Sequence, residues 1–226
     1  MKKSLILLLI ISLFTITACG SKTNEFKKDY EEINGKANQQ GKIHRTVTIS
    51  EDNPFVEVEA KDIVKMIEDK ETFYVYFGSR LCPWCRSVIE SAIKLSLTRG
   101  ISKIYYVDIW NDNGEEILRD KYSLDDSNKP NKEIDGTEEY YELLKNFDSL
   151  LRDYTLTDNN DNQIPVGEKR IFAPNFVYIE KGVAKKLVTG KSDKLTDPRG
   201  ELTTEIIKDQ ETIFDEFFTE VCDEEC

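Results

Sequence analysis

Two cysteines separated by two residues, Cys82 and Cys85, are the side chains in this sequence best suited to chemistry. They open a segment whose apolar residues recur at helical spacing, so Cys82 is predicted at a helix N-terminus. Unpaired N–H groups and about half a positive charge at that end favour a thiolate, which predicts a Cys82 pKa below about 8.5. Arg80 and Arg86 flank the pair and add positive charge, and Pro83 suits a first helical turn. Cys85, one turn further in, is predicted to be the more buried thiol, which would resolve a mixed disulfide.

A zinc half-site and a structural disulfide are the two other interpretations of this pair. Zinc would need two further ligands, and Cys222 and Cys226 are the only candidates. The single histidine, His44, precedes a predicted strand and is expected at the surface, so neither a metal site nor a cofactor is predicted. Redox chemistry is favoured because it uses the sequence strand, Cys-x-x-Cys, helix. Trp84, between the cysteines, either covers the sulfurs or forms part of a substrate surface.

The elements around the pair form a predicted strand–helix–strand unit. Residues 72–77 are β-branched and aromatic, as expected of a buried strand, and residues 103–109 form the next strand after the helix. Two strands joined by such a helix pair in parallel. Before this unit, strands are predicted at residues 45–50 and 55–59, and a helix at residues 60–70.

Residues 111–163 interrupt this pattern as a predicted helical insertion. Large apolar side chains spaced by three and four from Tyr140 to Tyr154 predict an amphipathic helix over residues 138–154, and residues 114–122 are predicted as a shorter one. After the insertion, Ala173-Pro174 precedes a β-hairpin, and a last amphipathic helix is predicted over residues 203–221.

The order of these features resembles the thioredoxin fold, an α/β fold. The matching parts are a strand that ends in Phe77-Gly78-Ser79, the Cys-Pro-Trp-Cys helix start, the following strand, and Ala173-Pro174 before a hairpin and a helix. The resemblance implies that the insertion lies between the third strand and the proline loop. It also implies that the bond before Pro174 is cis and that this loop, through Ala173 and Pro174, binds substrate beside Cys82. The implied activity is thiol–disulfide oxidoreduction on other proteins.

Two departures from this family concern the same site. Thioredoxins carry a buried acid six residues before the first cysteine, where it helps to shuttle the proton of the resolving cysteine, and this sequence has Tyr76 there. The dipeptide Pro-Trp resembles that of glutaredoxins more closely than that of thioredoxins. Reductase, oxidase and isomerase share these residues, so the direction of electron flow stays open. The alternative is a non-catalytic thioredoxin-like lipoprotein that acts as a binding or accessory module.

The N-terminus predicts export and lipidation. A short basic segment and an apolar run too short to span a bilayer are typical of a signal peptide over residues 1–18. Residues 16–19, Ile-Thr-Ala-Cys, resemble a bacterial lipobox, which implies cleavage before Cys19 and acylation of its thiol; the alternative is an ordinary signal peptide with a chance cysteine. Residues 19–42 are predicted as a flexible tether and residues 43–221 as the domain. The whole is similar to extracytoplasmic thioredoxin-like lipoproteins of Gram-positive bacteria, among them the bacteriocin-associated disulfide proteins.

Charge and cysteine count limit the classes of partner. The 226-residue chain has a formal net charge of −12, which excludes the basic surface of a nucleic-acid binder. Clients are expected among secreted or cell-surface thiols and disulfides, and a membrane redox partner is compatible with the anchor.

The acidic tail, residues 222–226, holds Cys222 and Cys226, which are interpreted as a terminal disulfide, a second redox pair or an intermolecular link.

Overall fold

The computed structural model describes residues 22–219. The predicted signal peptide, the lipidation site Cys19 and the acidic tail with Cys222 and Cys226 lie outside it. The helices are α1 (Lys22–Glu32), α2 (Ala60–Glu68), α3 (Pro83–Thr98), α4 (Glu138–Phe147) and α5 (Thr204–Thr219). The strands are β1 (Phe55–Glu57), β2 (Phe73–Gly78), β3 (Ile104–Asp108), β4 (Lys121–Leu124), β5 (Pro130–Ile134), β6 (Arg152–Thr157), β7 (Gln163–Arg170), β8 (Asn175–Glu180) and β9 (Val183–Val188). The predicted α/β class is confirmed.

A five-stranded mixed sheet forms the centre of the fold, in the order β1-β3-β2-β8-β9. Strands β1, β3 and β2 are parallel, and β8 and β9 are antiparallel to their neighbours. The predicted strand–helix–strand unit is confirmed, because β2 and β3 pair in parallel across α3. The predicted hairpin is confirmed as β8 and β9, with Lys181 and Gly182 at positive φ in its turn.

Both faces of this sheet are covered, which explains why every residue of β2 is buried. Side chains alternate between the faces of a strand, so β2 contributes to two separate cores. Tyr74 and Tyr76 pack with residues of α1, α3 and α5 on one face. Val75 and Phe77 pack with residues of α2 and α4 on the other. The two cysteines belong to the first of these cores.

The tether prediction is wrong for residues 22–42, because α1 packs onto the domain. Phe26 and Tyr30, one helical turn apart, are each 1% exposed and lie in the core under the sheet.

The strand predicted at residues 45–50 is also absent from the structure. The N–H groups of Val47 and Ile49 donate to the side chains of Asn34 and Glu31 instead of to a neighbouring strand. This connection is therefore fastened to α1 rather than to the sheet.

The histidine prediction is wrong as well. His44 is buried rather than on the surface, and its backbone N–H donates to the carbonyl of Lys36. Burial, helped by the nearby charge of Arg86, lowers the pKa of the imidazole.

The insertion is less helical than predicted. Its helix α4 ends at Phe147, and residues 152–157 form β6, which pairs with β7. Residues 114–122 form no helix, and Lys121 begins the hairpin of β4 and β5. The insertion thus consists of one ten-residue helix and two hairpins. The spacing of apolar residues from Tyr140 to Tyr154 spans two elements, because the last of them, Tyr154, is buried from a strand and not from a helix.

No helix among residues 22–219 combines the length and apolar character that a membrane span requires.

Candidate active site

Cys82 and Cys85 lie at the start of α3, directly after the turn that follows β2. Cys82 is the N-cap residue, and its Sγ accepts a hydrogen bond from the backbone N–H of Cys85 at 3.3 Å. Pro83 occupies the first helical turn, where its missing N–H costs nothing. Cys82 is 3% exposed, whereas Cys85 is fully buried, and both are free thiols in this structure. The order of burial is the one expected from the sequence.

The surroundings of the two thiols favour opposite protonation states. Burial disfavours the Cys82 thiolate, but hydrogen bonds from Cys85 and from the Trp84 N–H, with the charge of Arg119, outweigh it and lower the pKa of Cys82. Burial, together with the neighbouring Cys82, raises the pKa of Cys85 well above its ordinary value. Cys82 is therefore the better nucleophile. Cys85 stays protonated and must lose its proton before it can attack a disulfide.

Electrostatic roles are predicted for Arg80 and Arg86, and the structure places the contacts of both guanidinium groups away from the two sulfurs. Arg80 pairs with Glu32 at 2.7 Å and with Asp112 at 2.8 Å. Arg86 is buried and donates to backbone carbonyls, among them that of Tyr30 at 2.9 Å. Arg80 and Arg86 are close to the motif in sequence. At the start of a helix, however, successive side chains point in different directions, so closeness in sequence does not bring these charges to the sulfurs.

A charge that favours the Cys82 thiolate comes from Arg119 in the insertion, and no sequence pattern indicates it. Arg119 is buried with Glu116, with Nε to Oε2 at 2.9 Å, and its Nη1 donates to the carbonyl of Ile171 at 3.1 Å. Arg170 pairs with Asp120 at 2.8 Å and with Glu116 at 3.3 Å. This network fastens the insertion to the segment that leads into Ala173-Pro174.

The proline loop lies beside the cysteines, although 91 residues separate Ala173 from Cys82. The bond between Ala173 and Pro174 is cis, as the resemblance implies. The Cys82 thiol donates to the carbonyl of Ala173 at 3.7 Å. Asn175 supports the loop, because its side chain accepts from the N–H of Phe172 at 2.7 Å and donates to the carbonyl of Pro174 at 3.0 Å. An extended peptide passing this loop would run close to the Cys82 sulfur.

Trp84 is half-buried and forms part of a rim around the pair. Lys191 places its Nζ 3.7 Å from the centre of the Trp84 ring, and Arg152 lies over the ring of Phe172 at 5.6 Å. Burial and then the charge of Arg152 lower the pKa of Lys191, while the Cys82 thiolate acts in the opposite sense. The rim is aromatic and cationic, in contrast to the acidic chain as a whole.

We expect Lys191→Gln to raise the pKa of Cys82, because it removes a positive charge that interacts with the thiolate. The expected effect is that of a partly screened charge, less than about 1 kcal/mol. The pH dependence of the alkylation rate of Cys82 measures it. Lys65→Gln, on α2 at the opposite face of the sheet, is the matched control and should leave the pKa unchanged. Equal values for Lys191→Gln and the unaltered chain would contradict the charge effect.

Tyr76 lies directly beneath Cys85, at the position where the resemblance would place an acid. Its hydroxyl is hydrogen-bonded to the hydroxyl of Tyr30, with the two oxygens 2.9 Å apart, and it interacts with the Cys85 thiol, whose pKa it lowers against the larger effect of burial. Tyr30 belongs to α1 and therefore to the segment that the sequence suggested was a tether. Its spacing of four from Phe26 was the available signal for a buried helix face.

Three or more His, Cys, Asp or Glu side chains do not gather into a metal-binding group anywhere in the described part of the chain. The chain matches no model of a known protein family. It also has no significant match among curated proteins.

Proposed function

We propose that this protein is a thiol–disulfide oxidoreductase that exchanges disulfides with other proteins through Cys82 and Cys85. The observation that carries the proposal is the different placement of the two thiols: Cys82 caps α3, accepts the N–H of Cys85 at 3.3 Å and lies beside the Ala173 carbonyl, whereas Cys85 is fully buried one turn further in. A purely structural disulfide needs no such difference. Thiol exchange needs this difference, because one sulfur must attack the client while the other stays protonated until the mixed disulfide has formed.

The scaffold that we propose is thioredoxin-like. Support comes from the sheet order β1-β3-β2-β8-β9 and from a redox pair at the start of the helix that follows β2. The cis bond before Pro174, next to Cys82, is a further point in its favour. In this proposal the two hairpins and α4 are an insertion into that scaffold, between β3 and the proline loop.

In the proposed reaction the Cys82 thiolate attacks a disulfide of the client. A bond forms between Cys82 and one client sulfur, and the other client sulfur leaves as a thiolate. Cys85 then loses its proton and attacks Cys82, which releases the second client thiolate and leaves a Cys82–Cys85 disulfide. The client gains two electrons and the pair loses two; the reverse sequence oxidises a client. Ala173 and Pro174 would orient the client beside Cys82, as the 3.7 Å contact with the Ala173 carbonyl suggests.

We further propose that the reaction takes place outside the cytoplasm, with the domain held at the membrane through lipid on Cys19. The motivation is the sequence of residues 1–19 alone. The clients would then be secreted or cell-surface proteins, and a membrane redox partner would restore the pair to its starting state.

A non-catalytic binding module is the second candidate. The observation in its favour is the tyrosine at position 76, since a site without a buried acid lacks the usual means of moving the proton of Cys85. Such a module would retain Cys82 and Cys85 only as a structural bridge.

Two measurements on the unaltered chain separate these candidates: the pKa of Cys82 from the pH dependence of its alkylation, and the rate of exchange with a disulfide-bonded peptide. An oxidoreductase should give a Cys82 pKa below about 8.5 and exchange that disappears in Cys82→Ser. A pKa near 8.5 with no exchange above the Cys82→Ser background would establish the binding module instead.

A further inference from the structure

A connected group of hydroxyls lies beneath the cysteine pair. Tyr76 projects from β2 and Tyr30 from α1, and their hydroxyl oxygens are 2.9 Å apart. Tyr76 also packs in the same core as Cys85, and its hydroxyl interacts with the Cys85 thiol. Tyr76 is fully buried and Tyr30 is 1% exposed. Neither hydroxyl takes part in the exchange reaction proposed above. Burial of a polar hydroxyl is unfavourable unless it is hydrogen-bonded, so two of them in this place call for a function.

The Tyr76 side chain is fixed in this place from three sides. Its ring stacks on Phe176, with centroids 4.4 Å apart, and on Tyr106, with centroids 5.4 Å apart. Below the hydroxyl lies Gly78, where a Cβ atom would come within 2.1 Å of the Tyr76 oxygen. The absence of a side chain at Gly78 thus makes room for the hydroxyl to turn towards Cys85.

The far end of this group opens onto a surface pocket. Tyr30 lines this pocket together with Tyr106 and the carboxylates Asp29 and Asp108. Burial raises the pKa of both carboxyl groups. Each therefore exchanges protons closer to neutral pH than an exposed aspartate does.

We propose that the hydroxyls of Tyr76 and Tyr30 are the proton path of Cys85, which connects its buried sulfur to the pocket that contains Asp29 and Asp108. This inference rests on the proposed oxidoreductase function and adds the means by which Cys85 is activated. Tyr76 contacts the reacting sulfur and is a catalytic residue in this scheme. Tyr30 acts through Tyr76 and is a positioning residue.

In the mixed disulfide, the Cys85 thiol passes its proton to the Tyr76 oxygen as Tyr76 passes its own proton to Tyr30. Tyr30 in turn releases a proton to a carboxylate or to water in the pocket. The Cys85 thiolate attacks Cys82, the Cys82–Cys85 bond forms, and the bond from Cys82 to the client breaks with its electron pair on the client sulfur.

The groups that surround the path are consistent with this role. Burial raises the pKa of both tyrosines well above the ordinary value, so each remains a hydroxyl that accepts one proton as it gives another. The titratable groups that face Cys85 are Cys82 and Tyr76, and those that face Tyr76 are Cys85, Tyr30 and Tyr106. The Arg86 guanidinium lies 5.8 Å from the Tyr30 ring, and the charge of Asp108 also acts on the Tyr30 hydroxyl.

The test separates the attack of Cys82 from the resolution by Cys85. Full-length chain with the other three cysteines changed to serine reacts with 5,5′-dithiobis(2-nitrobenzoate), which releases one chromophore when Cys82 attacks and another when Cys85 resolves. In Tyr76→Phe we expect an unchanged first phase and a second phase slowed about 100-fold at neutral pH, a typical value for lost acid–base assistance. The slowed phase should rise in proportion to hydroxide concentration. Tyr30→Phe should slow the same phase, and the double variant should be no slower than Tyr76→Phe.

Tyr74→Phe is the matched control, because it removes a hydroxyl from the same face of β2. The Tyr74 ring packs against Tyr178, Phe217 and Phe218 instead of the cysteines, so both phases should stay within about twofold of the unaltered rates. An unchanged second phase in Tyr76→Phe overturns the proton path. If Tyr76→Phe loses its cooperative unfolding transition, Tyr30→Phe decides by the same criterion. Absence of both phases in the unaltered chain would count against the oxidoreductase function itself, which is a different result.

Discussion

A Cys85→Ser variant is expected to accumulate mixed disulfides with client proteins, whereas a Cys82→Ser variant is expected to accumulate almost none. Cys82 is at a helix start, with hydrogen bonds from Cys85 and Trp84 that favour its thiolate. When Cys85 is serine, the bond between Cys82 and a client sulfur has no internal thiol to break it. The covalent complex then lasts until an external thiol reaches it.

The reverse variant leaves only Cys85, which is fully buried and has a pKa raised well above the ordinary value. A protonated thiol without access to solvent is a poor nucleophile. We expect Cys85→Ser to retain about tenfold more covalently bound client than Cys82→Ser, since the two thiols differ in both thiolate fraction and access.

Non-reducing electrophoresis of the membrane fraction, repeated with reductant, measures the difference. The double variant Cys82→Ser/Cys85→Ser is the control for disulfides formed by other cysteines of the chain. Equal amounts of complex in all three variants, or none in any of them, would mean that the pair does not exchange with clients.

The sequence was most informative where a local pattern and a tertiary role coincide. Residues 72–77 are β-branched and aromatic, and β2 is buried on both faces, so the composition of this segment indicates its central place in the sheet. Cys82 follows that strand and begins α3, so its role as a cap could be predicted from order alone. The α/β class and the asymmetry in burial between Cys82 and Cys85 followed from the same short region.

The predictions were wrong where a local pattern has two structural solutions. Residues 22–42 contain few apolar side chains, yet two of them, Phe26 and Tyr30, anchor α1 in the core. The spacing of apolar residues from Tyr140 to Tyr154 is compatible with one helix. The end of that segment instead forms β6 and pairs with β7. A helix and a hairpin that bury the same face share this pattern until the partner strand is known.

The remaining site residues have no local signal that connects them with the cysteines. Arg119, Lys191 and Tyr30 reach the cysteine pair from an insertion, from the residues after β9 and from the N-terminal helix. Each acts through a contact between segments that are distant in sequence. Residue type and spacing carry no information about such contacts, whereas the flanking Arg80 and Arg86 were selected by sequence distance and act elsewhere.

Replacement of Arg86 by methionine is expected to destabilise the fold by about 3–5 kcal/mol, the range for breaking a buried, fully hydrogen-bonded charge. Arg86 is 1% exposed, and every polar contact of its guanidinium is to an oxygen of another segment. It donates to the carbonyls of Tyr30 at 2.9 Å, Arg45 at 2.8 Å and Arg80 at 3.2 Å, and to the side-chain oxygen of Asn34. Methionine fills much of the volume but leaves these buried acceptors without donors, each at a cost of about 1–3 kcal/mol before relaxation.

Urea denaturation of Arg86→Met and of the unaltered chain measures this loss. Arg99→Met is the matched control at the other end of the same helix α3. Its guanidinium pairs with Asp215 at the surface, where both side chains are more than a third exposed, so its removal should cost less than about 1 kcal/mol. Losses of equal size in the two variants would mean that Arg86 acts as no more than a surface charge.

The same variant should also loosen α1, because two of the four groups that Arg86 binds, the Tyr30 carbonyl and the Asn34 side chain, belong to α1 or to the turn that follows it. Amide hydrogen exchange should therefore accelerate in residues 22–32 more than in β2 and β3. Since Tyr30 supplies the outer hydroxyl beneath Cys85, a loosened α1 should also slow resolution by Cys85 while the attack by Cys82 continues. Uniform acceleration of exchange across the whole domain would instead assign Arg86 to the global core.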